Sequence, residues 1–231
     1  MPEQKNTETI IILFMEIEEK ITAAASIAYS TRATIDNTFA LSKEMLHKEG
    51  CFVECGVGAG SQIMAMQLAV EGTKKVIYAF DSFEGIPMAG EHDTSQPGIG
   101  EIKHNKFLPL KERLVSSGIT CHSSKNVKDN FERFGIPLTN ILFIEGWFQD
   151  TLPLYETGPI ALLRLDGDLY ESTMVCLEHL YPLVIDGGVV IVDDFSLDGA
   201  KKAVQDYFNG VLPEMITVDG GQGPAYFYKK N

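Results

Sequence analysis

Basic residues are scarce in this 231-residue chain: 19 Lys and Arg stand against 32 Asp and Glu, a formal net charge of −13. A nucleic-acid-binding domain needs a basic face to neutralise phosphates, so DNA and RNA are set aside as partners. An acidic surface still admits an anionic ligand at one local site. Cysteine is sparse as well. Cys51, Cys55, Cys121 and Cys176 show no CxxC spacing and no cluster with histidine, which argues against a zinc site or a disulfide framework. Cys51 and Cys55 fall in one apolar run and read as small core residues of a protein in a reducing compartment. The apolar run Ile10–Met15 is cut off by Glu16, Glu18, Glu19 and Lys20, far short of the roughly 20 residues of a membrane span. With no secretion signal evident, a cytoplasmic location without a membrane partner is expected. The run is apolar on consecutive positions, more than one helix face needs, so a second copy of the chain is expected to cover it, making a homodimer or higher homo-oligomer.

What is present suits one globular domain. Apolar residues make up 45% and charged residues 22% of the chain, enough for a sizeable core. Residues 1–50 show apolar positions at helical spacing and read as a helical N-terminal extension. From residue 51 to 231 the pattern is that of an α/β domain. Strand-like runs at Cys51–Val57, Lys75–Asp81, Ile141–Glu145, Ile160–Asp166 and Val189–Asp193 alternate with helical stretches such as Ser61–Glu71 and Ser172–Val184. Such alternation predicts a mostly parallel sheet with helices on both faces. Met215–Val218 and Ala225–Lys229, joined through glycines, predict an antiparallel hairpin at the sheet edge. The stretch 85–105 interrupts the pattern with Pro87, Gly90, Pro97, Gly98 and Gly100. It is either a solvated insertion or, given its place after a ligand-side strand end, a lid over substrate.

Two constellations carry chemistry. Glu54-Cys-Gly56-Val-Gly58-Ala-Gly60-Ser61 ends a strand and opens a helix. Its glycines allow a tight turn and close approach of a ligand to the backbone. Glu54 is placed to meet a cationic amino group, and Asp81, ending the next strand beside Ser82, to accept hydrogen bonds from ribose hydroxyls. Nicotinamide enzymes share the loop and the acid, so these features indicate a nucleoside ligand, and the spacing favours S-adenosylmethionine (AdoMet). The second constellation is Arg164-Leu165-Asp166-Gly167-Asp168 with Asp193-Asp194. Adjacent strand ends bring these four aspartates together, and such a cluster calls for a cation; oxygen ligands suit Mg²⁺ rather than zinc. Arg164 shares a strand face with Asp166 and must be paired, with Glu54 or the aspartates, as a structural or site-organising cation. Trp147 either stacks near the nucleoside base or covers the core. The histidines are scattered, and only His92 and His104 lie near the suspected lid.

Phe52-Val53-Glu54-Cys55-Gly56-Val57, Tyr78-Ala79-Phe80-Asp81-Ser82-Phe83-Glu84-Gly85, Gly146-Trp147-Phe148, Arg164 through Thr173 and Asp193-Asp194 occur in that order. Together, over residues 50–230, they resemble the macrocin O-methyltransferase family of macrolide and aminocoumarin antibiotic biosynthesis. Gly58-Ala59-Gly60 departs from the family pattern, which has a Trp with basic or glycine residues there. The resemblance implies a class I AdoMet-dependent, Rossmann-like methyltransferase fold, Mg²⁺ dependence, a homo-oligomer and methylation of a deoxysugar hydroxyl. By matching motif it places metal ligands on Asp166, Asp193 and Asp194 and the catalytic base on the pair Asp166 and Asp168. A catechol-type O-methyltransferase and a non-catalytic AdoMet-binding module stand as alternatives. Glu54, Gly56, Gly58, Gly60, Ser61, Asp81, Ser82, Trp147 and Asp166 form the expected cofactor site.

Overall fold

The computed structural model describes residues 16–94, 108–221 and 223–230. The run Ile10–Met15, on which the expected self-association rests, lies outside them, as does most of the suspected lid. Among the described residues no helix is long and apolar enough to cross a membrane.

Seven strands form one sheet in the order β3-β2-β1-β4-β5-β7-β6. The central strands β1 (Cys51–Cys55) and β4 (Ile160–Leu165) are buried at every position, as near-continuous apolar runs between two helical layers should be. β2 (Ile77–Asp81) and β3 (Ile141–Glu145) extend the parallel sheet on one side, and β3, at its edge, leaves Leu142 exposed. On the other side β5 (Val184–Val192) runs parallel to β4, and β7 (Ala225–Tyr228) and β6 (Ile216–Thr217) add the antiparallel hairpin. The strand order reverses direction between β1 and β4, so their carboxyl ends open the crevice where ligands of such sheets bind.

The N-terminal helices belong to the same core as the sheet. Helix α1 (16–25 of the described residues) and α2 (Arg32–Glu44) bury Ile21, Ala24, Ile35 and Leu41 in one cluster with Phe52, Ile63 and Leu68. That cover explains why α3 (Ser61–Val70) is buried on all sides: sheet lies beneath it and α2 above. The opposite face of the sheet packs Val53, Cys55, Leu163 and Leu165 against Cys176 and Leu177 of α7 (Tyr170–Leu180), with α8 (Asp198–Tyr207) alongside.

The observed bounds correct several expected ones. β5 begins at Val184 rather than Val189, because Gly187 and Gly188 still exchange backbone hydrogen bonds with Lys229 despite breaking the apolar pattern. α7 runs Tyr170–Leu180 rather than Ser172–Val184, and a 3-10 turn at Tyr181–Leu183 leads into β5. Between β2 and β3 the chain forms α4 (Leu110–Arg113) and α5 (Ser124–Arg133). α5 is opened by a reciprocal Ser123–Asn126 capping box and buries only Val127 and Phe131. α6 (Phe148–Thr151) succeeds β3.

Candidate active site

At the end of β1 the backbone of Gly56 turns with φ +94°, and a β-carbon there would lie 1.7 Å from the carbonyl oxygen of Asp166. Glycine is therefore required, both for the left-handed turn and for the approach of two backbones. Asp81 then fixes the shape of the glycine loop. Its Oδ2 accepts the N–H groups of Val57 (2.6 Å) and Gly58 (3.2 Å), and its Oδ1 accepts that of Phe83 (2.6 Å). Burial pushes the Asp81 carboxyl upward, opposed by these three hydrogen bonds. Ser82 shapes the same corner, donating from Oγ to the Gly85 carbonyl at 3.0 Å. A β-carbon on Gly58 would face open space, while Gly60 (φ +98°) caps α3 where a β-carbon would lie 2.9 Å from the Val127 side chain.

The sheet ladder runs one residue beyond β4 and β5, through Asp166 N–H to Cys55 (2.8 Å) and Asp193 N–H to Leu165 (2.8 Å). Gly167 then turns the chain, Asp168 adopts a left-handed conformation (φ +60°), and its N–H donates to Asp194 Oδ2 at 2.9 Å. Carboxylate oxygens of Asp166, Asp168 and Asp194 thereby lie within 4.8 Å of one another. Asp193 is held differently. The fully buried Arg164 donates from Nη1 to Asp166 (2.6 Å) and to Glu54 (3.1 Å), and from Nη2 to one oxygen of Asp193.

One guanidinium thus faces three carboxylates, with two more acids alongside. Burial and neighbouring acids push Asp168 and Asp194 well above the usual carboxylate range. Burial raises Glu54 to about 8 and Asp193 to about 7, against the pull of Arg164. An excess of buried acid with all-oxygen donors fits a hard divalent cation. Both constellations open on one cavity of about 850 Å³. The glycine loop, Asp81 and Trp147 line one part of it, the aspartates another, and the volume exceeds what a nucleoside alone fills.

The profile of the family described as Macrocin-O-methyltransferase (TylF) matches residues 31–229. The chain belongs to the macrocin O-methyltransferase family. It is 38% identical over 176 residues to the 8-demethyl-8-(2,3-dimethoxy-alpha-L-rhamnosyl)-tetracenomycin-C 4'-O-methyltransferase of Streptomyces olivaceus, covering 74% of this chain and 63% of that one. It is 36% identical over 177 residues, with the same coverage, to the demethyldecarbamoylnovobiocin O-methyltransferase of Streptomyces niveus. The match thus spans 63% of the length of each of these two relatives. Among solved structures it resembles the O-methyltransferase NovP with a TM-score of 0.71 and 30% identity, over 88% of this chain and 83% of that one. The fold is accordingly the class I methyltransferase fold with its antiparallel C-terminal hairpin.

Against this family background, most residues singled out in the sequence meet at the cavity: Gly56, Gly58, Ser61, Asp81, Ser82 and Trp147 on one side, Asp166, Asp168, Asp193 and Asp194 on the other. Glu54 does not. It is 0% exposed and off the cavity wall, with Oε1 paired to Arg164 and Oε2 buried without a hydrogen-bond partner. Gly60 likewise acts through the backbone turn and stays off the cavity wall. Sequence reasoning missed the wall formed by Tyr29, Ser30 and Thr31 ahead of α2 and Thr34 in its first turn, closed onto the C-terminal hairpin by a Thr31–Asp219 hydrogen bond. It also missed Asp93, which ties the described start of the 85–105 stretch to α7 by accepting from Tyr170 N–H (2.9 Å) and Gly90 N–H (2.7 Å). The 85–94 part is therefore packed onto the domain: Met88 N–H also donates to the Arg113 carbonyl (3.2 Å), and Arg113 pairs with Glu171 of α7 (2.6 Å).

Proposed function

We propose that this chain transfers a methyl group from AdoMet to a hydroxyl of a deoxysugar carried by a natural product, with a divalent cation bound at the aspartate cluster. The observation that carries the proposal is the opening of the glycine loop with Asp81 and of the aspartate cluster onto a single cavity. The names of the two relatives, both O-methyltransferases of glycosylated or antibiotic compounds, support the acceptor class.

Arg164 takes one oxygen of Asp166 and one of Asp193; Asp193 stands outside the cluster as a partner of Arg164, and Asp166 and Asp194 would hold the cation, with Asp168 within 4.8 Å of both. A hard ion such as Mg²⁺ bound there supplies Lewis-acid polarisation of the acceptor hydroxyl. Asp168 is the proposed base. The turn at Gly167 carries it off the strand line, and burial among neighbouring acids raises its proton affinity, in the direction a base requires. The Gly56–Ser61 loop and Asp81 would hold the donor, which when bound would supply the methyl group. Trp147, half-buried on the cavity wall, is placed to stack on the nucleoside base.

The test is methyl transfer from isotope-labelled AdoMet to two acceptor panels, one of deoxysugar glycosides and one of catechols. Label on the glycosides supports the proposal. Label on catechols alone makes the chain a phenolic methyltransferase, and AdoMet binding without transfer to any diol makes it a binding module.

A further inference from the structure

Asp168 stands in a left-handed backbone conformation (φ +60°) that a residue with a side chain keeps only where its surroundings hold it. Its own N–H is held by Asp194, but Asp194 belongs to the carboxylate cluster proposed for the cation. Residues 86–93 supply further contacts, on the two residues that follow. The Leu169 side chain, 1% exposed, sits in a small apolar cluster with Ile86 and Ala89. Tyr170 N–H donates to Asp93 Oδ1 at 2.9 Å, and the Tyr170 ring lies against His92 with centroids 4.3 Å apart.

Asp93 is built into this junction. It is 1% exposed and stays off the cavity wall. Its second oxygen accepts Gly90 N–H at 2.7 Å, so one carboxylate bridges the 86–93 segment and the start of α7. A β-carbon on Gly199, in the first turn of α8, would lie 1.9 Å from Asp93 Oδ1, so the bare glycine leaves the carboxylate its place. Burying a carboxylate is costly unless its oxygens are bonded. Here both are bonded to backbone, and neither bond reaches a ligand.

We propose that Asp93 is a positioning residue for the methyl-transfer reaction. By fixing Tyr170 N–H, with Leu169 seated on Ile86 and Ala89, it sets the turn that presents the Asp168 carboxylate to the cavity. This assignment rests on the reading of Asp168 as the base. Gly85, Ile86 and Pro87 also line the cavity, so the segment that walls it aligns the base as well. A displacement of that turn by about 1 Å is enough to cost on the order of 10²-fold in rate.

A double-substitution cycle tests it, read as label transfer from AdoMet to the best acceptor of the two panels. Asp93→Ala should lower kcat by about 10–100-fold, while KM for AdoMet and S-adenosylhomocysteine affinity in calorimetry stay within about twofold. Asp93→Asn keeps one oxygen for Tyr170 N–H and should recover part of the loss; it carries the test if Asp93→Ala fails to fold. In an Asp168→Asn background either substitution should cost less than about twofold, because the group it positions is gone. Losses that multiply in the double variant, losses that fall equally on cofactor affinity, or wild-type kcat in Asp93→Ala overturn the assignment. Near-normal turnover by Asp168→Asn alone overturns the base reading and this assignment with it. Wild-type protein that transfers no label overturns the methyltransferase reading itself.

Discussion

Gly56 and Asp166 meet backbone to backbone: a β-carbon on Gly56 would sit 1.7 Å from the Asp166 carbonyl oxygen. The contact sets the glycine loop directly against the carboxylate turn, so both line one cavity. Gly56→Ala should therefore damage both fold and site. With a strained left-handed backbone and a clash together costing on the order of 2–3 kcal/mol, the melting temperature should fall by about 5–10 °C. AdoMet binding should be lost in calorimetry. Unchanged melting and binding would show that the two strands do not approach as described.

Asp81 acts on the backbone of the glycine loop. Three N–H groups from two loops converge on its carboxylate, so Asp81→Ala removes the tie that shapes the glycine loop. AdoMet should bind more weakly by about 1–3 kcal/mol, the scale of a lost charged hydrogen-bond set. Unaltered affinity in calorimetry would take Asp81 out of the donor site.

The legible part of this molecule is the part with strong local chemistry. β3 is delimited to the residue, Ile141–Glu145, because an apolar run stands between polar turns. The start of α3 at Ser61 is marked by the glycine before it. α5 is hidden because only Val127 and Phe131 mark its buried face among charged residues. The fate of Glu54 turns on register: it lies beside Arg164 on the neighbouring strand, and a sequence offers that pairing as one of several. The wall at Tyr29–Thr34 is a tertiary contact between the two ends of the chain, with no local pattern to announce it.

Glu54 also makes stability depend on pH. Its pKa rises from an ordinary 4.5 to about 8 on folding, first because of burial. The folded state holds this proton while the unfolded chain releases it. Its contribution is thus complete below about pH 4 and lost as pH rises through about 8. Metal-free protein should lose melting temperature between about pH 5.5 and 8.5, and Glu54→Gln should lose less over that interval. An identical decline in the variant, measured by circular dichroism, would contradict the role given to Glu54.

Proton transfer and cation binding are separable at Asp168. Asp168→Asn keeps the shape of the turn and should leave Mg²⁺ and AdoMet affinities intact while kcat falls by about 10²–10⁴-fold. Loss of metal affinity in the same variant would make Asp168 a ligand, and near-normal turnover would pass the role of base to Asp166.

The central claim is metal-assisted methyl transfer at the aspartate cluster, and chelation tests it most directly. Label transfer from AdoMet to a deoxysugar glycoside should vanish after exhaustive treatment with EDTA and return when Mg²⁺ is restored. In Asp194→Ala it should return only weakly, at elevated Mg²⁺. Full turnover by rigorously chelated wild-type enzyme would contradict the account.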